Sequence, residues 1–553
     1  MTTATEFNIG LAHELLAESL ADKEVLVWRD RRLTYRELGE RSRRLATYLH
    51  RAGLGAHTER ADLANHESGQ DHVALYLHNG TEYLEGMLGC FKSRCASINV
   101  NYRYTGEELR YLFGNADARA VIYHGAFAPK LAAVRDALPD LEVLLQVDDG
   151  SGNELLPGAV DYEAALASVP DELPDVGHSP DDLFILYTGG TTGMPKGVLW
   201  RQHDIFMSAM GGQVPGVWDA ISTYDEFVER AVAGAASDGT MVMVPPFMHG
   251  AAQWSSFIMM AGGTKIVIPD ENTHMDAADI LRTIDREGAA TITVVGDAVV
   301  RPLLDEIKTG RYDLSSLVIV GNGSAALTPE LKEQLLEELP NIFINDSMGA
   351  SETGAQASHL SAKGNVSTGK FSTGPGAVVV NEDMTALLEP GHDGIGWLGQ
   401  SGWVPLGYLG DAEKTAKTFP TINGTRYAVP GDRARLLENG DVEVLGRESA
   451  TINTGGEKVF AEEVESAITS HPSVRDVLVV GRPHQRWGKE VVAVIQLEEG
   501  AVISDAELAE HAGERVARYK IPKAWVYVPQ IQRSPSGKAD YRWAHAIAVG
   551  EQS

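Results

Sequence analysis

The sequence has few of the features that mark secreted, membrane or nucleic-acid-binding proteins. Its 553 residues contain two cysteines, Cys90 and Cys95, which are too few for a disulfide framework and favour a reducing compartment. It has no run of about 18 uncharged apolar residues, the length that a membrane-spanning helix needs. Its first residues also lack the basic segment and apolar run of a signal peptide. We therefore predict a cytoplasmic protein with no integral membrane segment.

Positive charge is scarce as well. The 47 Lys and Arg residues stand against 77 Asp and Glu residues, which gives a net charge of −30 with His neutral. Such a charge repels nucleic acid phosphates and anionic lipid. We therefore predict no nucleic acid partner that depends on a broad electrostatic contact, and we look for function in a folded site.

The composition that remains is that of a globular protein, with 43% hydrophobic and 22% charged residues. Apolar runs of strand length, such as 73–77, 120–123 and 184–187, alternate with helical patterns such as 35–52, 107–115 and 329–339. This alternation predicts an α/β architecture with largely parallel sheets. The Gly-rich texture of 364–435 predicts a small β-rich subdomain. A compact final unit begins after Arg447, so we predict domains at 1–447 and 448–553.

The most informative segment runs from Thr188 to Lys196 and follows an apolar strand. Glycine permits close backbone approach and positive φ, so successive N–H groups can converge on phosphate oxygens, while hydroxyls add donors and Lys196 adds charge. The pattern of a P-loop NTPase is absent because Gly197 follows the lysine. We interpret the segment as a phosphate-binding loop that contains Thr188, Gly189, Gly190, Thr191, Thr192, Gly193 and Lys196.

Three further residues carry weaker signals. Glu352 is predicted to lie in a loop just after the strand 342–345, where a carboxylate beside a phosphate loop is a natural Mg²⁺ ligand. Asp432 lies in a Pro-Gly-Asp turn and has the chemistry to accept hydrogen bonds from a ribose diol. Lys538 lies in a Gly/Ser/Pro turn near the end of the chain. Each of these is more often a solvated charge when taken alone.

Other classes lack their motifs. An α/β-hydrolase needs a G-x-S-x-G nucleophile elbow, which the sequence does not contain. The H-E-x-x-H motif of zinc metalloproteases is absent, and two cysteines five residues apart are a poor set of zinc ligands. A non-catalytic nucleotide-binding protein would keep the phosphate loop without needing Lys538, and this alternative stays open.

Taken in this order, the segments resemble the adenylate-forming superfamily of acyl-CoA synthetases, adenylation domains and luciferases, from Leu33 to Lys538. The pairing of 187–196 with 452–460 resembles actinobacterial fatty-acyl-CoA ligases that act on sterol side-chain carboxylates. The resemblance implies a large N-terminal domain with two stacked α/β subdomains plus a small β-rich subdomain, followed by a small mobile α+β C-terminal domain. It also implies an AMP-forming ligase that activates a hydrophobic acid, of medium or long chain or with a steroid side chain, as an acyl-adenylate and transfers it to coenzyme A.

The resemblance assigns roles to residues that match the family's motifs. The 188–196 loop would hold the ATP phosphates, and Glu352 would hold the Mg²⁺. Lys538 would stabilise the negative charge that develops in the adenylation step. Ser351 stands where the family usually has a threonine. The remaining nucleotide contacts would be Gly323, Ser324, Ala325, Asp346, Ser347, Met348, Gly349, Asp432 and Arg447. The acid or coenzyme A would contact His249, Trp254, Gly455 and Gly456.

Three positions depart from the family pattern, and one of them is Val429-Pro430, which stands where a threonine usually precedes Gly-Asp. Met348 occupies the position of the aromatic residue that usually stacks on adenine, although a thioether can also pack on a ring. Ser449 and Ala450 stand where an aspartate hinge is common. The cofactors implied are ATP, Mg²⁺ and coenzyme A, and the runner-up is an adenylation enzyme that loads a carrier protein. The sequence leaves a homodimer open.

Overall fold

The computed structural model describes residues 5–188, 194–214, 216–454, 457–484, 488–533 and 538–550. The helices in these residues are α1 (Ile9–Ser19), α2 (Tyr35–Arg51), α3 (Thr81–Lys92), α4 (Gly106–Asn115), α5 (Ala128–Arg135), α6 (Tyr162–Ala167), α7 (Gln202–Ala209), α8 (Tyr224–Ala235), α9 (Gly250–Ala261), α10 (Ala277–Glu287), α11 (Gly296–Ile307), α12 (Pro329–Glu338), α13 (Ala412–Thr418), α14 (Ala461–Thr469), α15 (Asp505–Gly513) and α16 (Tyr541–Val549).

The strands in the first half are β1 (Glu24–Trp28), β2 (Arg31–Thr34), β3 (His72–Tyr76), β4 (Ala96–Asn99), β5 (Ala118–His124), β6 (Val143–Val147), β7 (Val160–Asp161), β8 (Leu183–Thr188), β9 (Lys196–Arg201), β10 (Thr240–Met243) and β11 (Lys265–Ile268). Those in the second half are β12 (Thr291–Val294), β13 (Ile319–Gly323), β14 (Phe343–Ala350), β15 (Gly354–Ser361), β16 (Lys370–Thr373), β17 (Ala377–Val380), β18 (Gly396–Gln400), β19 (Gly407–Tyr408), β20 (Thr421–Ile422), β21 (Thr425–Arg426), β22 (Asp432–Leu436), β23 (Val442–Arg447), β24 (Ile452–Thr454), β25 (Glu457–Val459), β26 (Val474–His484), β27 (Gly488–Leu497) and β28 (Ala524–Tyr527).

Several helices begin where the sequence supplies an N-terminal cap. Helix α2 follows Thr34, whose hydroxyl accepts from the Glu37 N–H while the Glu37 carboxylate accepts from the Thr34 N–H. The same reciprocal arrangement starts α4 and α15. Each of these boxes satisfies two backbone donors that a helix end otherwise leaves without partners.

The first sheet has eight strands in the order β19-β9-β8-β4-β3-β5-β6-β7. The six strands from β3 to β8 pair only in parallel with one another. Strand β9 pairs antiparallel with β8, and β19 pairs antiparallel with β9. Every residue of β3 is buried, as expected for a strand covered on both faces. The strand order reverses at β3, which is the position where open α/β sheets bind their ligands.

The second sheet has thirteen strands in the order β17-β18-β22-β23-β16-β15-β14-β13-β12-β10-β11-β1-β2. Its parallel part runs from β1 through β14, and its antiparallel part continues into the β-rich region. One hydrophobic cluster joins the two sheets, because it contains Leu75 and Ile122 of the first sheet together with Met243 and Ile268 of the second. The two sheets are therefore stacked.

The C-terminal part is a separate sheet in the order β25-β24-β27-β26, with β28 added parallel to β27. Its two faces pack against α14 with α15 and against α16, respectively. The predicted α/β fold, with a large N-terminal and a small C-terminal domain, is confirmed. The boundary between 447 and 448 stays a prediction. None of the helices in the described residues has the length and apolarity needed to span a bilayer.

One local prediction needs correction. The sequence places Asp346 to Gly349 after a strand that ends at Asn345, whereas β14 extends through Ala350. The strand is longer because Asp346 to Ala350 pair with β15, its antiparallel neighbour, in a hairpin. Glu352 lies in the tight turn between these two strands rather than in a longer loop.

Candidate active site

The carboxyl ends of β4 and β8 are joined by a buried amide. The Asn99 side chain donates from Nδ2 to the Tyr187 carbonyl at 2.8 Å and accepts on Oδ1 from the Tyr187 N–H at 2.7 Å. The same Nδ2 donates to the Met248 carbonyl at 2.7 Å. Asn99 thus ties the strand that leads into the 188–196 segment to the loop that carries His249. The sequence signal was an asparagine inside the apolar run 96–100, which we did not single out.

A second asparagine, Asn79, holds the other side of the same loop. Its Nδ2 donates to the Pro245 carbonyl at 3.0 Å, and its Oδ1 accepts from the Phe247 N–H at 2.7 Å. Asn79 follows β3 at the point where the strand order reverses. The loop 245–249 is therefore fixed by the first sheet although it extends from β10 of the second.

His249 ends this loop and precedes α9. Burial, followed by the positive charges of Lys538 and Arg103, lowers the pKa of His249 to about 3. The imidazole is therefore neutral at physiological pH. Its Nε2 is buried and has no hydrogen-bond partner among the described residues. Trp254, one turn into α9, likewise has a buried Nε1 without a partner in the described chain.

The 188–196 segment connects two antiparallel strands, since Thr188 ends β8 and pairs with Lys196 at the start of β9. The predicted phosphate-binding residues Gly189, Gly190, Thr191, Thr192 and Gly193 lie outside the described residues. The Lys196 ammonium group lies 3.4 Å from Asp411 Oδ2.

Tyr408 connects Glu352 to these strands, because Tyr408 belongs to β19, which pairs with β9. The sequence motifs do not identify Tyr408. The Tyr408 hydroxyl donates to Glu352 Oε1 at 2.7 Å. Burial, with the Glu352 charge as a second cause, raises the pKa of Tyr408 far above its usual range, so the phenol stays protonated. The preceding residue, Ser351, accepts on its carbonyl a hydrogen bond from the Trp200 indole N–H at 2.9 Å. Trp200 is fully buried, so the Glu352 turn is anchored to the core of the first sheet.

The predicted adenine turn, Gly323 to Ala325, follows β13. Ser324 adopts a positive φ of 67°, an uncommon conformation for a residue other than glycine. Asn322, a second missed residue, donates from Nδ2 to the Ala325 carbonyl at 3.2 Å and accepts on Oδ1 from the Gly296 N–H at 2.8 Å. A buried amide therefore holds the turn in this shape.

Asp346 belongs to the same buried network. Its Oδ1 accepts from Asn322 Nδ2 at 2.8 Å, and its Oδ2 accepts from the buried Lys332 ammonium. On the next positions of β14, Ser347 is exposed while Met348 is half-buried against the core of the β-rich region. Gly349 has no room for a side chain, because a Cβ there would lie 2.1 Å from the Gly354 carbonyl oxygen.

Asp432 and Arg447 lie opposite each other on β22 and β23, and Arg447 Nε donates to Asp432 Oδ1 at 3.1 Å. The Asp432 charge is the main cause that raises the pKa of Arg447. Gly446 has a φ of 118° and lies against Glu462 of the C-terminal part, where a Cβ would come within 2.2 Å of Oε2. The positive φ favours glycine at this contact between the two parts of the chain.

Lys538 reaches this cleft from the C-terminal part of the chain. Burial and the positive charge of Arg447 lower the pKa of Lys538, while Glu352 and Asp432 act in the opposite direction. The side chain is still reached by solvent, so it occupies an open cleft with charged groups on its walls. The structure therefore brings together His249, Glu352, Asp432, Arg447 and Lys538, which are far apart in sequence.

Two residues predicted to contact the acid or coenzyme A are not among those brought together here. Gly455 and Gly456 lie outside the described residues. Within the described ranges there is no group of three or more His, Cys, Asp or Glu side chains suited to hold a metal ion by themselves.

Comparison with known proteins identifies the family. Residues 14–409 match the family described as AMP-binding enzyme, and residues 463–538 match the AMP-binding enzyme C-terminal domain. The chain belongs to the AMP-binding enzyme family. This AMP-binding enzyme is 56% identical to the medium-chain acyl-CoA ligase Mig of Mycobacterium avium, with 99% of each chain covered. It is 39% identical to a 3-oxocholest-4-en-26-oate–CoA ligase of Rhodococcus rhodochrous, over 97% of this chain and 95% of that one.

Among solved structures, ATP-bound MatB from Rhodopseudomonas palustris matches this AMP-binding enzyme with a TM-score of 0.79 and 22% identity, over 99% of both chains. This likeness supports the fold alone. Together the comparisons confirm the predicted resemblance and the predicted enzyme class, an AMP-forming acyl-CoA ligase that uses ATP and coenzyme A. The roles predicted for individual residues stay predictions.

Proposed function

We propose that this ligase activates a hydrophobic carboxylic acid of medium chain length. The 56% identity to a medium-chain acyl-CoA ligase over 99% of both chains supports this choice over the steroid acid named for the 39% identical relative. The observation that carries the mechanism is the position of Lys538, which faces Glu352, Asp432 and Arg447 across the cleft.

In the first half-reaction, a carboxylate oxygen of the acid attacks the α-phosphorus of ATP, and the bond from that phosphorus to the leaving pyrophosphate breaks. Negative charge grows on the α-phosphoryl oxygens during this step. The Lys538 ammonium group stabilises that charge without transferring a proton. Thr188 and Lys196, with the intervening loop, hold the phosphates that depart.

The nucleotide would lie between the turn 323–325 and the strand residues 347–349, with its ribose at Asp432. Because Asp346 is engaged by Asn322 and Lys332, we assign it to the support of this pocket rather than to direct contact with the base. Arg447 fixes the Asp432 carboxylate through their hydrogen bond.

Glu352 is the residue suited to hold Mg²⁺ beside the phosphates. The neutral Tyr408 hydroxyl donates to this carboxylate and orients Oε1 without cancelling the negative charge. When bound, Mg²⁺ neutralises phosphate charge. Tyr408 and the turn at Ser351 fix the direction in which the Glu352 carboxylate points.

In the second half-reaction, the thiol sulfur of coenzyme A attacks the acyl carbonyl carbon, the bond to AMP breaks, and the thiol proton passes to solvent. The family resemblance implies that the C-terminal domain rotates near Ser449 and Ala450 between the two steps. Rotation would withdraw Lys538 and bring Gly455 and Gly456 to the acyl group. Gly446, which lies against Glu462, marks a contact that such a rotation has to open.

A group of ion pairs holds the C-terminal domain in the orientation seen here. Arg301 of α11 lies 3.0 Å from Glu498 Oε1, and Arg475 of β26 lies 3.1 Å from Glu498 Oε2. Arg475 also lies 3.9 Å from Asp305 of α11. The Arg301–Glu498 and Arg475–Asp305 pairs join the two domains in the state in which Lys538 faces the cleft, so they favour adenylation over the second step. The Arg475–Glu498 pair lies within the C-terminal domain and holds the Glu498 carboxylate.

We expect Glu498→Gln to lower the rate of ATP–pyrophosphate exchange about two- to five-fold, since partly exposed pairs contribute about 1 kcal/mol or less each. Thioester formation from a supplied acyl-adenylate should not fall. Glu499→Gln, an exposed neighbour, is the matched control and should change neither rate. Equal losses in both half-reactions would argue against a role in domain orientation.

Two apolar side chains are partly exposed at the amino ends of neighbouring strands in the thirteen-stranded sheet. Val320 and Ile344 point into the core below α10, α11 and α12, so that Ile319 and Phe343 point to the opposite face. Ile319 and Phe343 remain 38% and 43% exposed. These two side chains lie at the opposite ends of β13 and β14 from the turn 323–325 and residues 347–349, so they are not part of the proposed nucleotide site.

The support for a hydrophobic acid comes from the wall near the phosphate loop, which is apolar. A Cβ on Gly250 would lie 2.6 Å from Leu186 Cδ2 and 3.4 Å from the Trp254 ring, so these side chains leave no space between them. His249 adds a neutral ring at the same place. A buried, uncharged wall favours an apolar acyl group next to the reacting carboxylate.

An acid panel tests the proposed substrate. We expect octanoate to have the highest kcat/KM, ahead of palmitate, a steroid with a side-chain carboxyl and acetate. Acetate should be at least about a hundred-fold poorer than octanoate, because each buried methylene contributes about 0.8 kcal/mol. Acyl-CoA formation is measured by product mass with ATP and coenzyme A. A preference for acetate would contradict the hydrophobic site, and a preference for the steroid acid would contradict medium chain length.

The cytoplasmic location and the open question of a homodimer stay at the level of prediction. Light scattering of the purified protein measures the oligomeric state directly. Either a monomer or a dimer is compatible with a site built from one chain.

A further inference from the structure

Two lysines lie against one aromatic ring at the edge of the candidate active site. The Lys196 ammonium group is 5.7 Å from the centre of the Tyr408 ring, and that of Lys414 is 4.9 Å from the same centre. Lys196 starts β9, whereas Lys414 belongs to α13. Two distant segments therefore place their positive charges together, beside the ring whose hydroxyl donates to Glu352.

Two carboxylates, those of Asp411 and Glu352, lie near this pair of lysines. Asp411 lies 3.4 Å from Lys196 through Oδ2, while its Oδ1 accepts the Lys414 backbone N–H at 3.0 Å and caps α13. Burial and the neighbouring Lys196 charge lower the pKa of Lys414 to about 8. The two carboxylates offset only part of the repulsion between the ammonium groups, and an anion bound to both lysines would reduce it further.

The position of the pair identifies the anion. Lys196 ends the 188–196 segment, which is the predicted phosphate-binding loop, and Glu352 is the predicted Mg²⁺ carboxylate. The most highly charged group that the reaction brings to this side of the cleft is the β,γ-diphosphate of ATP, which departs as pyrophosphate. An ammonium group donates up to three charge-assisted hydrogen bonds to such oxygens.

We propose that Lys414 binds the β,γ-diphosphate of ATP and the departing pyrophosphate together with Lys196. This inference rests on the proposed function. When the bond from the α-phosphorus to the bridging oxygen breaks, the electron pair stays on pyrophosphate, and Lys414 stabilises the added charge by hydrogen bonding without giving up a proton. Lys414 takes no part in thioester formation, because pyrophosphate has then left.

The test compares Lys414→Met with Lys417→Met. Lys417 lies on the last turn of the same helix and is exposed, so it serves as the matched control. We expect Lys414→Met to raise the KM for ATP and the inhibition constant of pyrophosphate by about ten-fold each, since one hydrogen bond to a charged group is worth about that factor. Lys417→Met should leave both unchanged.

Two further measurements separate binding from structural damage. Thioester formation from a supplied acyl-adenylate should keep its wild-type rate in Lys414→Met, and Lys414→Arg should recover part of the ATP and pyrophosphate affinity. If Lys414→Met does not fold, Lys414→Gln is measured in the same assays. Unchanged ATP and pyrophosphate constants in a folded variant would overturn the proposal. If the wild-type chain forms no acyl-CoA from any acid in the panel, the proposed function fails instead.

Discussion

Replacing Lys538 by alanine is expected to lower the rate of acyl-adenylate formation by about a hundred-fold or more. The ammonium group lies in the cleft with Glu352, Asp432 and Arg447, where it meets the charge that builds on the α-phosphoryl oxygens. Removal of one preorganised group of this kind typically costs about a hundred- to a thousand-fold in turnover. ATP–pyrophosphate exchange in the presence of octanoate measures this step alone.

The second half-reaction provides the contrast. Lys538→Ala should convert supplied octanoyl-adenylate to octanoyl-CoA at close to the wild-type rate, because the proposed rotation removes Lys538 before that step. Lys523→Ala, an exposed lysine of the same C-terminal domain, is the control and should retain both activities. If Lys538→Ala leaves the rate of ATP–pyrophosphate exchange unchanged, the proposed role of Lys538 in adenylation is wrong. Equal loss of both half-reactions would instead point to damage of the domain.

Local patterns in the sequence predict several of the helices. The Thr34 and Glu37 pair marks the start of α2, and the helix predicted at 35–52 is observed as Tyr35–Arg51. The helix predicted at 329–339 is observed as Pro329–Glu338, with proline at its first position. Such signals are local because a cap and the turn that it satisfies lie within four residues.

Residues that act through tertiary contacts left no such signal. Asn99 and Asn322 occur within apolar strands, and only the structure shows that their amides join neighbouring loops. Tyr408 and Lys414 belong to a short strand and helix whose pairing with β9 is not encoded in a local pattern. A polar residue inside an apolar run was the one clue available, since a buried amide requires partners.

The resemblance predicts positions along the chain but not the atoms that each side chain contacts. Asp346 is predicted to complete the adenine pocket, and its carboxylate is held by Asn322 and Lys332 inside the protein. Met348 was expected where an aromatic ring usually stacks, and it packs against the β-rich core. Motifs identify positions along the chain, whereas side-chain direction depends on strand register and on the bulge between Met348 and Gly349.

Glu352→Gln is the second change with a large expected effect. The substitution keeps the size of the side chain and its acceptor for the Tyr408 hydroxyl, but it removes the negative charge that faces Lys538 and Arg447. A neutral amide is a much weaker ligand for Mg²⁺ than a carboxylate. We expect ATP–pyrophosphate exchange to fall about a hundred-fold, with a higher Mg²⁺ concentration needed for half-maximal rate.

Tyr408→Phe distinguishes the Glu352 charge from its orientation. This variant keeps the ring that contacts Lys196 and Lys414 and removes only the hydroxyl that donates to Glu352. Loss of one hydrogen bond to a charged group should lower exchange by about ten-fold or somewhat more, with a smaller change in the Mg²⁺ requirement than in Glu352→Gln. If Glu352→Gln and Tyr408→Phe shift the Mg²⁺ requirement equally, orientation rather than charge is the contribution of Glu352. If neither variant alters it, Glu352 is not the residue that holds the metal.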